Sequence, residues 1–509
     1  MILFDRAVER YADRLALVAD DGSYSFAAVD VLSRCAARLL AAEGIRRGDR
    51  VGAWSRNSHS LLVLQLAVMR LGATWCPVGA YASTASASGY LRSLEPRAVL
   101  YEEGGLARMQ DLRRAFPALV CVSTDHVFRQ AARDAAVVGE TASIHDDDGD
   151  DASRIVAIVP TGGTTNAPKA VMQSLTAFER LIEALRYCLE YDDDMPICLA
   201  ASPLSHSAGA QAFAVWTLGG VNIVMREFST ERVLGQIQEK RVTHMFLPPT
   251  ALSFLLAQPN LGQFDCSSLR SVRVGGESVS AARLKEAVDA FGPCICETYG
   301  QIEAPFLTWL DRKTIAAAAA GHHGERLSSC GRPTPSVTLR IGEPGQPSVL
   351  HERGEIVIKG SGVPCPYFGD VHAPADDSWH RTGDIGYVDE YGYVYLVGRA
   401  RDLIISGAIN VHAADVEAAV LALDHVRECA VVGMPDPILG EAVHAIVTVD
   451  DGYSVSETAI IAHCQATLGK LRAPRSVTFS LEIPKTGVGK IDKVALRRNL
   501  TERQDAGRG

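Results

Sequence analysis

Pro160-Thr-Gly-Gly-Thr-Thr-Asn-Ala-Pro-Lys-Ala-Val171 is the stretch on which the reading of this chain turns. It follows Ile155–Val159, an unbroken apolar run with the length and β-branched content of a buried strand. Gly and Thr then crowd together, so the backbone bends freely and exposes N–H groups and hydroxyls, the neutral donors that can wrap a polyphosphate. Lys169 adds a positive point charge. The spacing does not fit G-x-x-x-x-G-K followed by Ser or Thr, which excludes a Walker loop. Taken alone, the run also suits an ordinary turn from a strand into a helix.

Outward from this run, short apolar strands alternate with helical periods between about residues 24 and 310. Val51–Trp54, Ala98–Tyr101, Ile197–Ala201, Asn222–Met225 and Ser271–Val274 read as further strands. In Thr176–Leu189, Phe178, Leu181, Ile182, Leu185 and Leu189 share one helical face, and Thr176 with Glu179 has the form of a capping box. Such alternation predicts a layered α/β lobe with largely parallel sheets. From Cys330 to Val397 the pattern changes to apolar–polar alternation, as in Gly354–Lys359 and Gly392–Val397, which reads as antiparallel hairpins. A small α+β segment follows, with strands near Cys429–Val432 and Val443–Val449 and a helix near Glu457–Leu468. The expected organisation is α/β: a large N-terminal lobe with a β-rich subdomain over 1–398, a hinge at 399–402, and a small mobile α+β domain over 403–509.

A chain of 509 residues is too long for one core, in agreement with that division. A net charge of −10 gives no footprint for nucleic acid. The twelve cysteines lack paired metal or redox spacing, and read as reduced thiols in a cytoplasmic protein. Met1 to Asp20 reads as an amphipathic helix leading into the fold, not as a signal peptide. No apolar run approaches the ~18 residues of a membrane span, and the most apolar window, Val242–Ala257, is broken by Pro248-Pro249.

The opening run resembles the phosphate loop of the adenylate-forming superfamily, which includes acyl-CoA synthetases, peptide-synthetase adenylation domains and luciferases. Four further segments match that superfamily in order. Tyr299-Gly-Gln-Ile-Glu303 resembles its Tyr-Gly-x-Thr-Glu, and Arg381-Thr-Gly-Asp384 its Arg-Thr-Gly-Asp. Gly398-Arg399 through Asp402, Ser406-Gly407 and Glu417 resembles Gly-Arg-x-x-Asp-x-Ile with its following Gly and Glu. Pro484-Lys485-Thr486 through Gly489-Lys490-Ile491 resembles the C-terminal Pro-Lys-Thr-x-x-Gly-Lys-Ile.

The resemblance implies attack of a carboxylate on the α-phosphate of ATP, with pyrophosphate leaving. Two anions meet in that step, so cations and oriented donors must offset their repulsion. Thr161, Gly162, Gly163, Thr164, Thr165 and Lys169 are then expected on the β- and γ-phosphates, and Glu303 on Mg²⁺, a hard ion suited to oxygen ligands. Tyr299 and Gly300 are expected at adenine, and Gly275, Gly276 and Glu277 where adenine meets the acyl group. Asp384 would accept from both ribose hydroxyls, and Arg399 would grip ribose and phosphate. Lys490 would bridge carboxylate and α-phosphate, and Asp402 would be the hinge about which the C-terminal domain rotates between half-reactions. His206 aligns with an aromatic-His segment gating the acyl pocket, with Ser205 in place of the aromatic. The pocket walls are expected from His206–Ala212, Phe246–Thr250 and Arg273–Glu277.

Departures bear on the second step. Ile302 replaces a threonine, Asn166 and Ala170 replace loop glycines, and Ala408 replaces a glycine at a turn that lines the pantetheine tunnel in CoA ligases. Three readings follow. The first is an acid–CoA ligase using ATP, Mg²⁺ and CoA. The second adenylates but passes the activated group to a carrier protein or an amine, or activates an unusual acid such as nitrite. The third is a non-catalytic nucleotide-binding protein. Small residues at Ser205, Ala208 and Ala210 admit an aryl or medium-chain acid, and a homo-oligomer is compatible with all three.

Overall fold

Short side chains with an oxygen acceptor set the starts of several helices. Ser25, Ser58, Ser174 and Ser280 each accept from the N–H three residues on, opening helices Phe26–Ala42, His59–Arg70, Leu175–Cys188 and Ala281–Phe291. The cap of the third therefore lies two residues before the capping box expected at Thr176. The Thr176 hydroxyl instead donates to the Ala152 carbonyl at 3.0 Å. The computed structural model describes residues 2–19, 22–80, 82, 84–138, 151–161, 169–189, 195–360, 365–370, 378–406, 409–450, 452–485 and 491–506.

The chain forms two compact units, one of residues 1–338 and 359–378, the other of 339–358 and 379–509. In the first, the apolar runs become two sheets. One has nine strands, in the order Arg332–Pro333, Thr308–Leu310, Ile295–Tyr299, Ser271–Gly275, His244–Leu247, Ile197–Ala200, Val221–Val224, Leu15–Ala19 and Gly22–Ser25. From Ile295–Tyr299 to Leu15–Ala19 every neighbouring pair is parallel, as the strand–helix alternation predicts. The order reverses at Ile197–Ala200, which has Val221–Val224 on one side and His244–Leu247 on the other. Such a reversal opens a crevice at the carboxyl ends of the strands, the usual ligand position in open α/β sheets.

The second sheet has six strands: Val120–Ser123, Ala98–Tyr101, Arg50–Trp54, Thr74–Val78, Ile155–Pro160 and Ala170–Ser174. Its last pair is antiparallel, with Val159 opposite Val171 and Pro160 opposite Ala170. Residues 161–169 thus join two strands of a hairpin rather than a strand to a helix.

One apolar cluster holds residues of both sheets, among them Leu17, Val51, Ala98 and Val156, together with Phe4, Phe26 and Trp216. The Trp216 indole N–H donates to the Ala16 carbonyl at 2.8 Å, satisfying its single polar atom inside the core. From Ser60 to Arg70 the His59–Arg70 helix is buried on every face, and its one cation, Arg70, is paired with Asp5 and Asp30 and bonds to Ser33.

In the second unit Val337–Ile341, Gly354–Gly360, His380–Val388 and Val394–Arg399 form a four-stranded sheet, and the pairs on either side of His380–Val388 are antiparallel, as expected for the β-rich segment. A five-stranded sheet follows, built around the long pair Val426–Asp436 and Gly440–Val449, with helices Ala413–Leu421 and Glu457–Leu468 packed on it through Val416, Val420, Ile460 and Cys464. By compactness the four-stranded sheet groups with the C-terminal residues, whereas the expected boundary at 398 assigns it to the N-terminal lobe. No helix among the described residues is long and apolar enough to cross a membrane.

Candidate active site

The hairpin carrying the Gly/Thr run is closed at its base by Thr161 N–H donating to the Lys169 carbonyl at 2.7 Å. Gly162, Gly163, Thr164, Thr165 and Asn166 lie outside the described residues. The outer hairpin strand also pairs with a short distant segment, with Val171 opposite Tyr367. Met172 N–H donates to Pro366 O at 2.8 Å and Phe368 N–H to Ala170 O at 2.7 Å. That pairing puts Tyr367 beside the loop base.

Tyr367 joins two of the expected site residues. Lys169 Nζ stands 4.7 Å from the centre of its ring, a cation–π contact, and its hydroxyl donates to Glu303 Oε1 at 2.6 Å. Cys365 N–H donates to the Glu303 carbonyl at 2.6 Å, so the same segment holds both the backbone and the carboxylate of Glu303. Burial, and then the hydrogen bond to Glu303, raise the Tyr367 hydroxyl above its ordinary range. Burial and the Glu303 carboxylate push the Cys365 thiol up to about 12. The sequence reading did not single out Tyr367, because its role depends on pairing with residues far away along the chain.

Glu303 stands on a tight loop that leaves strand Ile295–Tyr299. Gln301 N–H donates to Ala304 O at 3.0 Å and Leu307 N–H to Tyr299 O at 2.8 Å. A side chain at Gly300 would meet Phe306 N at 2.4 Å, so the fold back requires glycine there. Tyr299 and Gly300 therefore stand at the strand end, Ile302 is part of the turn, and Glu303 faces Tyr367. One strand over, a Cβ on Gly275 would lie 2.6 Å from Thr298 Oγ1 and 2.7 Å from Thr298 O. Gly276 follows with φ +93, and Glu277 continues the loop.

Among the described residues no three His, Cys, Asp or Glu side chains cluster as a metal cage. A single carboxylate oriented by a phenol matches Mg²⁺ of another kind, one that keeps waters and arrives bound to phosphates. Glu303 fits that ion.

His206 lies in the loop after strand Ile197–Ala200, just before helix Ser207–Thr217, and its Nδ1 is 2.9 Å from Ser205 Oγ. This loop is pinned from both sides. Asn57 Nδ2 donates to Ser202 O at 2.8 Å, Leu204 N–H donates to Asn57 Oδ1 at 2.8 Å, and the Ser202 hydroxyl donates to Phe246 O at 2.9 Å. Asn57 was not legible as a site-supporting residue, since it precedes Ser202 by 145 positions. On the strand with Thr298, Glu297 points away from the Arg273 and Thr298 face. Burial raises its carboxyl to about 8.

In the second unit Asp384 and Arg399 face one another across the antiparallel pair, with Arg399 Nε 3.3 Å from Asp384 Oδ1. Asp384 N–H donates to Thr382 Oγ1 at 3.1 Å, and Arg381 spans Glu343 and Glu355, so the turn is held rigidly. Asp402 ends a short 3-10 turn, with Arg497 Nη2 4.0 Å away. Glu417 accepts from Val431 N–H and from Lys493 Nζ, both at 2.7 Å. Lys485 and Ile491 form a bridge. Gly407, Ala408, Thr486, Gly489 and Lys490 lie outside the described residues.

Comparison with known proteins identifies the family. The model of the AMP-binding enzyme family matches residues 4–368, and that of the AMP-binding enzyme C-terminal domain matches 415–490. Feruloyl-CoA synthase of Amycolatopsis sp is 31% identical over 485 residues, covering 92% of this chain and 93% of that protein. Medium/long-chain-fatty-acid–CoA ligase FadD8 of Mycobacterium tuberculosis is 35% identical over 362 residues, 69% of this chain and 62% of that protein. The structure of amide bond synthetase McbA from Marinactinospora thermotolerans superposes with a TM-score of 0.85 at 29% identity, covering 97% and 98% of the two chains. The chain belongs to the AMP-binding enzyme family, in the acyl-CoA synthetase branch of the adenylate-forming superfamily.

Proposed function

We propose that this protein uses ATP to activate a carboxylic acid as its acyl-adenylate and then transfers the acyl group to CoA. The observation that carries the first step is the Lys169–Tyr367–Glu303 chain beside the phosphate-type hairpin. It presents one cation and one oriented carboxylate at the place where a triphosphate and its metal have to be held. Bound through Glu303, Mg²⁺ would neutralise phosphate charge.

Thr161 and the loop residues Gly162, Gly163, Thr164 and Thr165 donate to the β- and γ-phosphates, with Lys169. Tyr299, Gly300 and Gly275 to Glu277 bound the adenine and acyl ends. Asp384 accepts from the ribose hydroxyls and Arg399 orients it. Lys490 supplies positive charge as the acid oxygen bonds to the α-phosphorus and the bond to the bridging oxygen breaks, releasing pyrophosphate. His206 borders the acyl group. In the second step the CoA sulfur bonds to the acyl carbon, the carbon–oxygen bond to AMP breaks, and the thiol proton passes to solvent. Asp402 is the hinge between these steps. Among the described residues no disulfide joins any of the twelve cysteines, which supports a cytoplasmic location.

Similarity to an amide bond synthetase supports a second reading, in which an amine takes the activated acyl group. Purified protein should release pyrophosphate with a suitable acid and then release AMP on addition of CoA. Pyrophosphate release with an amine-dependent AMP release, and none with CoA, would replace the first reading by the second. Ala408→Gly is expected to raise CoA turnover several-fold if the added methyl narrows the pantetheine path.

A further inference from the structure

Arg273 is 4% exposed, and no carboxylate pairs with it among the described residues. Its Nε donates to Gln211 Oε1 at 2.9 Å, Nη1 lies 3.4 Å from Thr298 Oγ1, and Nη2 has no partner among the described residues. The guanidinium lies over Phe246, 4.3 Å from the ring centre, with Phe306 at 5.9 Å. A buried cation with an unmade hydrogen bond is a costly arrangement, and two aromatic faces offset only part of that penalty. Burial correspondingly lowers the affinity of Arg273 for its proton, to about 10.

The position of this group gives it a use. Phe246, Arg273 and Cys296 are register partners across three parallel strands, so they share one face of the sheet. Gln211, on the helix that follows His206, covers that face. Gly275 is two residues further along the Arg273 strand, hence on the same side, at the carboxyl end of that strand in the parallel part of the sheet. Arg273 thus lies about 7 Å below the mouth at Gly275, roughly the length of two strand residues. That is the span of a short diacid or of a para-substituted ring.

We propose that Arg273 binds a second oxyanion at the distal end of the acid, so that the substrate class is dicarboxylic. The inference rests on the acid-activating function proposed above. It is tested by pyrophosphate release with matched pairs: glutarate against pentanoate, adipate against hexanoate, and terephthalate against 4-methylbenzoate. The wild type should favour the diacid of at least one pair by tenfold or more in kcat/KM. Arg273→Met should abolish the preference mainly through the KM for the diacid, leaving the KM for ATP unchanged and the melting temperature no lower. A merely structural arginine would not produce that split. Equal use of diacid and monoacid by the wild type, or a preference that survives in Arg273→Met, overturns the inference while acid activation stands. Arg273→Lys, which keeps the charge, should retain part of the preference. Absence of pyrophosphate release with every acid overturns the function itself, and this inference with it.

Discussion

The Tyr367 hydroxyl donates to Glu303 Oε1 at 2.6 Å while Lys169 stands 4.7 Å from the centre of the same ring. One aromatic side chain therefore spaces the cation from the carboxylate and keeps the two from collapsing into a direct ion pair. In the proposed function both charges are kept for the nucleotide and its metal.

Tyr367→Phe preserves the ring beside Lys169 and removes only the donor. Hydrogen bonds to charged groups contribute about 1.5–3 kcal/mol. We expect kcat/KM for MgATP to fall about tenfold or more, with the melting temperature little changed. Because the Tyr367 hydroxyl is raised above its ordinary range, it stays protonated through the alkaline pH values used in assays. The wild-type pH–rate profile should accordingly show no alkaline limb that Tyr367→Phe removes.

Asn57 holds the His206 loop through two hydrogen bonds, one given and one accepted. Asn57→Ala leaves the Ser202 carbonyl and the Leu204 N–H unmatched in a buried place, a loss of about 1–3 kcal/mol. Thermal melting should report the destabilisation. If the loop borders the acyl group as proposed, steady-state kinetics should show a larger rise in KM for the acid than for ATP.

Gly275→Ala places a methyl against the Thr298 backbone and hydroxyl, where no flexible side-chain end can yield. Overpacking of this kind typically destabilises by about 1–3 kcal/mol. Chemical denaturation should show that loss, and pyrophosphate release should fall with it under the proposed placement of the acyl group at this strand end.

Glu297 is a buried carboxyl raised to about 8 in the folded protein. A folded-state value above the unfolded one stabilises fully below the unfolded value and less as pH climbs through the folded one. Between about pH 4.5 and 8 the folded chain holds a proton that the unfolded chain has released, so Glu297 makes stability decline with rising pH in that window. Glu297→Gln mimics the protonated form. Its melting temperature should fall less than that of the wild type between pH 5 and pH 8.

Much of the fold was legible because buried strands in a parallel sheet are short continuous apolar runs. Ile155–Val159, Ala98–Tyr101 and Ser271–Val274 each became a strand within one residue of the expected ends. The helix start was less legible, because Ser174 and Thr176 both have a capping side chain and only the backbone path chose Ser174. The hairpin after Pro160 depended on which element the loop rejoins, a long-range property of the sheet. Tyr367 and Asn57 were hidden for the same reason: each acts through partners brought close only by the fold. Glu303, Tyr299 and Gly275 were legible through short motifs whose glycines the backbone demonstrably requires.

Exchange of labelled pyrophosphate into ATP, measured with an acid present and CoA omitted, tests the central claim most directly. We expect acid-dependent exchange by the wild type, and a loss of at least a hundredfold in Lys490→Ala with the fold intact. No exchange by the wild type with any acid, or undiminished exchange by Lys490→Ala, would contradict the account.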